Sequence, residues 1–164
     1  MGNVHFKRDQ YNWGDRFYLY DEFGTRKYRV KSSVLLWNRK FVIYDLDKNV
    51  LVEIKNEPKS LLKKKFYIMI GGQQVTAITK EIAFPPKYTM EGLNWQFEGF
   101  MRHDFRITES GTAVMAVTEE STSWGRHPVL TFSDAVDELT AVAVAMTIGY
   151  VIYAEDSEKS TNYL

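Results

Sequence analysis

The stretch Ser133-Asp-Ala-Val-Asp-Glu-Leu-Thr-Ala-Val-Ala-Val-Ala-Met-Thr-Ile-Gly-Tyr-Val-Ile-Tyr153 decides how this chain is read. It opens with helix-start signals. Ser133 or Asp134 can accept hydrogen bonds from the free N–H groups of a first turn, and Asp134, Asp137 and Glu138 meet the positive end of the helix dipole. From Leu139 to Ala154 no residue is charged, and apolar side chains occupy every side of the cylinder. A helix apolar all round is buried on all sides, in a core or in lipid. Spanning a bilayer takes about 20 apolar residues, whereas about 10–14 mark a buried core helix or an interfacial segment. The run here falls between the two, and acidic groups flank both ends (Asp137, Glu138; Glu155, Asp156), where a tail anchor carries Lys or Arg on its cytoplasmic side. Ala141, Ala143 and Ala145 suit walls that come close. The expectation is an enclosed helix over residues 134–153, followed by a polar tail, 154–164, that frays.

The enclosing wall is written in residues 17–132. Phe17-Tyr-Leu-Tyr-Asp21, a polar turn and Lys27-Tyr-Arg-Val-Lys31 recur 24 residues later as Phe41-Val-Ile-Tyr-Asp45, a turn and Val50-Leu-Val-Glu-Ile-Lys55. Both copies alternate with the period of two that marks half-buried strands. Looser copies follow at Lys65–Lys80, around Gly71-Gly72, and at Asp104–Thr118, around Gly111. Between them Tyr88–Gly92 and Trp95–Phe100 read as a further strand pair, and Val129–Phe132 is a last strand leading into the helix. A meander of about ten to twelve strands closes into a barrel, which removes the exposed edges. The fold class expected is mainly β: a closed antiparallel barrel around one hydrophobic C-terminal helix.

Composition narrows the chemistry. At 164 residues the chain is expected to form a single domain, 1–164, and it has no cysteine, which excludes disulfides, thiolate metal sites and cysteine nucleophiles. Met1 to Gln10 is polar, unlike a signal peptide, and Phe6 stands where N-myristoylation wants Ser or Thr. The localisation expected is cytoplasmic. Residues 1–90 carry 17 Lys+Arg against 9 Asp+Glu, a net +8, and residues 91–164 carry 4 against 12, a net −8. Asp45-Leu-Asp-Lys-Asn49 imitates a calcium loop but lacks its Gly (Val50) and its final Glu (Asn56). His5, His103 and His127 have no metal-ligand spacing, and no nucleophile, phosphate or dinucleotide motif occurs. No catalytic residue, metal or cofactor is therefore assigned.

Tyr20-Asp21, Lys27-Tyr28-x-Val30-Lys31, Ile43-Tyr44-Asp45, Ile54-Lys55, Ser60-Leu61, Lys65-Phe66-Tyr67-Ile68 and Gly71-Gly72 together resemble the LURP-one-related family. So do Tyr88, Glu91-Gly92, Trp95, Ser123-Trp124-Gly125, Asp134 and the Asp137-Glu138 start of the helix. The resemblance runs from Phe17 to Tyr153 and implies a tubby C-terminal-like fold of about twelve strands around a helix, with phospholipid scramblases as distant relatives. It implies no assigned activity; tubby domains bind phosphoinositides. Arg126 and Gly149 stand where relatives commonly have acidic residues.

The expected function is non-catalytic binding or scaffolding. The lysines Lys55, Lys59, Lys63, Lys64 and Lys65 are the candidate contacts for an anionic phospholipid headgroup, at a peripheral membrane site. A partner protein is the other ligand considered. The alternatives are an enzyme whose site leaves no motif and a nucleic-acid-binding regulator, the latter disfavoured by a net charge of zero.

Overall fold

The computed structural model describes residues 1–6, 16–35, 38–57, 64–100, 103–123 and 125–162. Its strands are β1 (Gly2–Phe6), β2 (Arg16–Tyr20), β3 (Arg26–Leu35), β4 (Asn38–Tyr44), β5 (Val50–Asn56) and β6 (Lys64–Ile70). They continue as β7 (Gln73–Glu81), β8 (Lys87–Met90), β9 (Trp95–Gly99), β10 (Phe105–Glu109), β11 (Thr112–Thr122) and β12 (Gly125–Phe132), followed by α1 (Glu138–Asn162). One antiparallel sheet holds all twelve strands in the order β8-β7-β6-β5-β4-β3-β2-β1-β12-β11-β10-β9. Chain neighbours pair except for β8 and β9, and the β1–β12 ladder, from Gly2 opposite Phe132 to His5 opposite Val129, brings the first and last strands together.

The 24-residue repeat is a structural repeat. In the first hairpin the carboxylate of Asp21 accepts the N–H groups of Phe23 and Thr25, each at 2.9 Å; in the second Asp45 accepts those of Asp47 and Asn49, also at 2.9 Å. Gly24 takes the left-handed conformation in one turn (φ 81°) and Lys48 takes it in the other (φ 70°). The calcium look-alike is thus a hairpin turn. Bulges fall at the same place in four hairpins: Leu19/Tyr20, Ile43/Tyr44, Ile68/Met69 and Ile107/Thr108. A bulge adds twist and bends its strand, and four at one level curl the sheet around the helix.

The strand pair expected at Tyr88–Phe100 is not a pair. β8 and β9 follow each other in the chain, yet they are the two edges of the sheet. The turn between them is tied back to β7, where Ala77 O accepts the N–H of Glu91 (3.0 Å) and Glu91 O accepts the hydroxyl of Thr76 (2.8 Å). The Tyr88 and Phe97 rings meet across the gap, with centroids 4.6 Å apart. The barrel is therefore nearly closed, with one seam bridged by aromatic contact in place of a ladder.

The helix is displaced from its expected bounds at both ends. Val136 N–H bonds back to Ser133 O and Ala135 N–H to Ser133 Oγ, so 133–136 is a turn, while Asp134 faces the Met1 amine at 2.5 Å. Asp137 caps the helix: its carboxylate accepts the Thr140 N–H and hydroxyl, each at 2.9 Å. At the other end the backbone stays helical through Asn162, beyond the boundary at 153 set by polarity. The 18 residues Glu138–Glu155 meet the length and hydropathy expected of a membrane span. In the fold Ala141, Val142, Ala143, Val144, Met146 and Ile148 are fully buried with Leu19, Val30, Phe41, Ile43, Ile54 and Ile68 of the wall. The hydroxyl of Thr147, buried among them, donates to Ala143 O at 2.8 Å.

Candidate functional site

Strand alternation sorts the cations into two populations. With Phe17, Val30, Phe41, Ile54 and Phe66 in the core, Arg16, Arg29, Lys31, Lys40, Lys55 and Lys65 share the outer face of β2–β6. The ladder sets Arg16 opposite Lys31 and Lys40 opposite Lys55. Glu53 is the one carboxylate within these five strands; it lies 3.6 Å from Lys40 and 3.7 Å from Lys55 and neutralises only one of them. Lys65 lies 3.5 Å from Glu91 and 5.2 Å from the centre of the Tyr67 ring. Desolvation pulls its pKa down, but Glu91 and Tyr67 outweigh this and hold it above the ordinary lysine value. The charge asymmetry of the sequence is thus laid out in space, because the strands of residues 1–90 are contiguous in the wall.

Of the five lysines expected to form one patch, Lys55 and Lys65 share the outer face. Lys64 does not. It turns inward beside Phe66 and meets the helix at Glu155 (3.9 Å), with its ladder neighbour Lys80 on the same carboxylate. Lys59 and Lys63 lie outside the described residues.

The inward cations are clasps for the helix. At its start Glu138 accepts from Lys27 Nζ (2.7 Å) and from the buried Tyr28 hydroxyl; burial, then that hydrogen bond, push the Tyr28 pKa far above its ordinary value. Toward the other end Tyr150 packs edge-on against Phe41 and Phe66 beneath the Arg39 guanidinium. The Tyr153 hydroxyl donates to Glu119 (3.2 Å), whose carboxylate also holds Arg126 (2.8 Å) and faces His103 (3.6 Å). Arg126 therefore has its acid on β11, and Gly149 lines a void of about 20 Å³ beside this cluster, room for one water.

A larger cavity of about 240 Å³ opens at the seam, between β7, β8, β9 and the far end of the helix. Tyr88, Phe97 and Phe100 give it aromatic walls, Pro85 and Pro86 floor it, and Lys80, Asp104 and Glu155 supply its charges. Tyr88 is 4% exposed; burial and then the Glu155 charge raise its pKa well above the ordinary tyrosine value. The next loop residues, Ile82 and Phe84, are 71% and 99% exposed.

Sequence reasoning left the histidines scattered, and the wall brings two of them together. His5 Nδ1 and His127 Nε2 are 2.8 Å apart, with both side chains buried and Gly125 O 3.3 Å from His127 Nδ1. Burial, then the neighbouring His127, hold the His5 pKa below its ordinary value.

A helix-filled antiparallel barrel with a basic outer wall is the class that this geometry defines. Residues 4–149 match the LURP-one-related family, and the chain belongs to it. It is 28% identical over 160 residues to the uncharacterised protein YxjI of Bacillus subtilis (strain 168), covering 96% of this chain and 98% of that one. The X-ray structure of an Arabidopsis thaliana protein shares the fold, with a TM-score of 0.62 at 13% identity over 96% of this chain and 91% of the other.

Proposed function

We propose that this protein is a non-catalytic, cytoplasmic binding protein that docks peripherally on anionic phospholipid through the outer face of β2–β6. The observation that carries the reading is the concentration of Arg16, Arg29, Lys31, Lys40, Lys55 and Lys65 on strands that hold one carboxylate. Neighbouring strands are about 4.8 Å apart, so five strands span roughly 20 Å of a curved wall. Curvature leaves about four of the cations within a Debye length (about 10 Å at 0.1 M salt) of a flat membrane. At about 1 kcal/mol each this amounts to about 4 kcal/mol, millimolar affinity for accessible anionic lipid and strongly salt-dependent. Phe84, exposed in the loop that follows β7, adds an apolar contact that salt does not screen.

Vesicle co-sedimentation tests the reading, with phosphatidylserine or phosphoinositide against phosphatidylcholine alone. Wild type sediments with anionic vesicles at low salt, and the pair Lys55→Gln with Lys65→Gln weakens this, whereas Lys64→Gln on the inner side leaves it unchanged. Failure of wild type to sediment at low salt overturns the reading, and equal loss in the Lys64 variant overturns the assignment of the face. Retention on a single-stranded oligonucleotide in place of vesicles favours the nucleic-acid alternative, for which Tyr18, Tyr44 and Tyr67 interleave the same cations.

A further inference from the structure

The seam cavity is lined by residues other than those of the basic face, and its charges are of both signs. Its charged groups are Lys80, Asp104 and Glu155, one cation against two carboxylates. Glu155 is already engaged by Lys80 and Lys64. Asp104 is not so engaged. Its carboxylate accepts the backbone N–H of Glu119 at 3.0 Å, and no cation among the described residues pairs with it. The aromatic walls, Tyr88, Phe97 and Phe100, present ring faces whose quadrupole is negative.

Tyr88 supplies a second polar group at the cavity. Its side chain is more than nine-tenths buried and lines the cavity, yet its hydroxyl has no hydrogen-bond partner among the described residues. The hydroxyl opens onto the cavity, and burial of the ring keeps it protonated, so it can accept one hydrogen bond and donate another. An anion placed here would face the Asp104 carboxylate and the negative ring faces. A neutral apolar molecule would leave Asp104 and Tyr88 as they are. An ammonium group is a donor of the kind that the Asp104 carboxylate and the Tyr88 oxygen each accept, and an attached apolar body suits Phe97, Pro85 and Ile152.

We infer that the seam cavity is a binding site for a small organic ammonium ion. The volume of about 240 Å³ suits an arylalkylamine or the ammonium headgroup of an aminophospholipid. Asp104 is the charge anchor and Tyr88 the hydrogen-bonding partner. The site goes beyond membrane docking and needs no residue of the basic face.

Isothermal titration calorimetry on the full chain tests the inference with three probes. 2-Phenylethylammonium carries the apolar body, glycerophosphoethanolamine carries the lipid headgroup alone, and 3-phenylpropionate keeps the aromatic body with an anionic end. One or both ammonium probes bind at millimolar concentration or tighter, and which of them binds more tightly tells a free amine from a lipid headgroup. Phenylpropionate is bound at least tenfold more weakly. Asp104→Asn, which keeps the acceptor for the Glu119 N–H, weakens the ammonium probe at least tenfold, and Tyr88→Phe weakens it severalfold, with melting temperatures near wild type. Amide NMR shifts on titration cluster at residues 97–100, 104 and 152–155. No binding of either ammonium probe, equal binding of phenylpropionate, or full affinity in Asp104→Asn overturns the site, leaving a solvated cleft. The variant Lys55→Gln with Lys65→Gln binds the probes as wild type does, so this outcome is separable from that of the vesicle experiment.

Discussion

Replacing Ala143 with Leu forces three more carbon atoms into a position with no exposed surface. Ala143 lies mid-helix, and its carbonyl already accepts the Thr147 hydroxyl at 2.8 Å, so the turn that would have to shift is tied to a second buried group. The 20 Å³ void of the structure lies along Ala145 and Gly149, two and six residues further on and roughly on the opposite side of the helix, and offers no relief. Overpacking of this kind costs about 1–3 kcal/mol. For a domain of this size each kcal/mol lowers the melting temperature by about 2–4 °C, so the expected fall is about 2–12 °C. The same chemical change at Ala113, exposed on β11, is the control and stays within about 0.5 kcal/mol of wild type. Differential scanning calorimetry on the two variants reads both values. An Ala143→Leu protein that melts like Ala113→Leu would falsify the enclosed-helix reading, because the wall would then not close on that face.

Lys48→Gly relieves a left-handed backbone that costs a lysine about 1–2 kcal/mol, against an entropic penalty of about 0.5–1 kcal/mol for glycine; a gain of about 0.5–1 kcal/mol in urea denaturation is expected, and a loss would show that the two turns are not equivalent. Gly2→Ala destabilises by about 1–3 kcal/mol, because an added Cβ falls inside contact distance of the Phe132 ring at the β1–β12 closure; an unchanged denaturation midpoint would mean that the ring swings away freely. Stability also falls with acidity through His5. Its folded pKa is depressed, so the neutral form is favoured in the native state; the contribution is full above the ordinary value of 6.5 and is lost as pH falls below it toward the folded value. The groups around it are His127, Glu120, Asp21 and Glu22, and denaturation midpoints between pH 7.5 and pH 5 should flatten in His5→Gln; an identical slope there assigns the effect elsewhere.

The helix was legible because sixteen uncharged residues leave few solvents, and the barrel was legible because a 24-residue offset aligned Phe17 with Phe41 and Asp21 with Asp45. Its boundaries were not. Ser133, Asp134 and Asp137 are all competent caps by type, and only the 133–136 turn, tied to Ser133 on β12's exit, selects Asp137. The seam was hidden because β8 and β9 carry ordinary strand patterns; what separates them is a turn bonded to β7, a long-range fact. The lysine run was read as one patch from proximity in sequence, although successive strand residues face opposite ways, so Lys64 and Lys65 part to helix and solvent. The His5–His127 contact depends on the β1–β12 register across 122 positions. Asp104 gave no signal, since a lone carboxylate before a strand looks like any loop residue.

The order of elements along the chain carries a consequence for how the protein is made. Every strand of the wall is synthesised before the helix that fills it. At about 5–20 residues per second, the 25-residue helix takes a few seconds to emerge after β12. During that interval Phe41, Ile43, Ile54, Ile68 and Leu130 have no partner to cover them. The nascent wall is then a curved, greasy trough, the kind of surface that chaperones retain. A chain that stops before Glu138 cannot hide it, so quality control can recognise copies that lack the helix by their uncovered lumen.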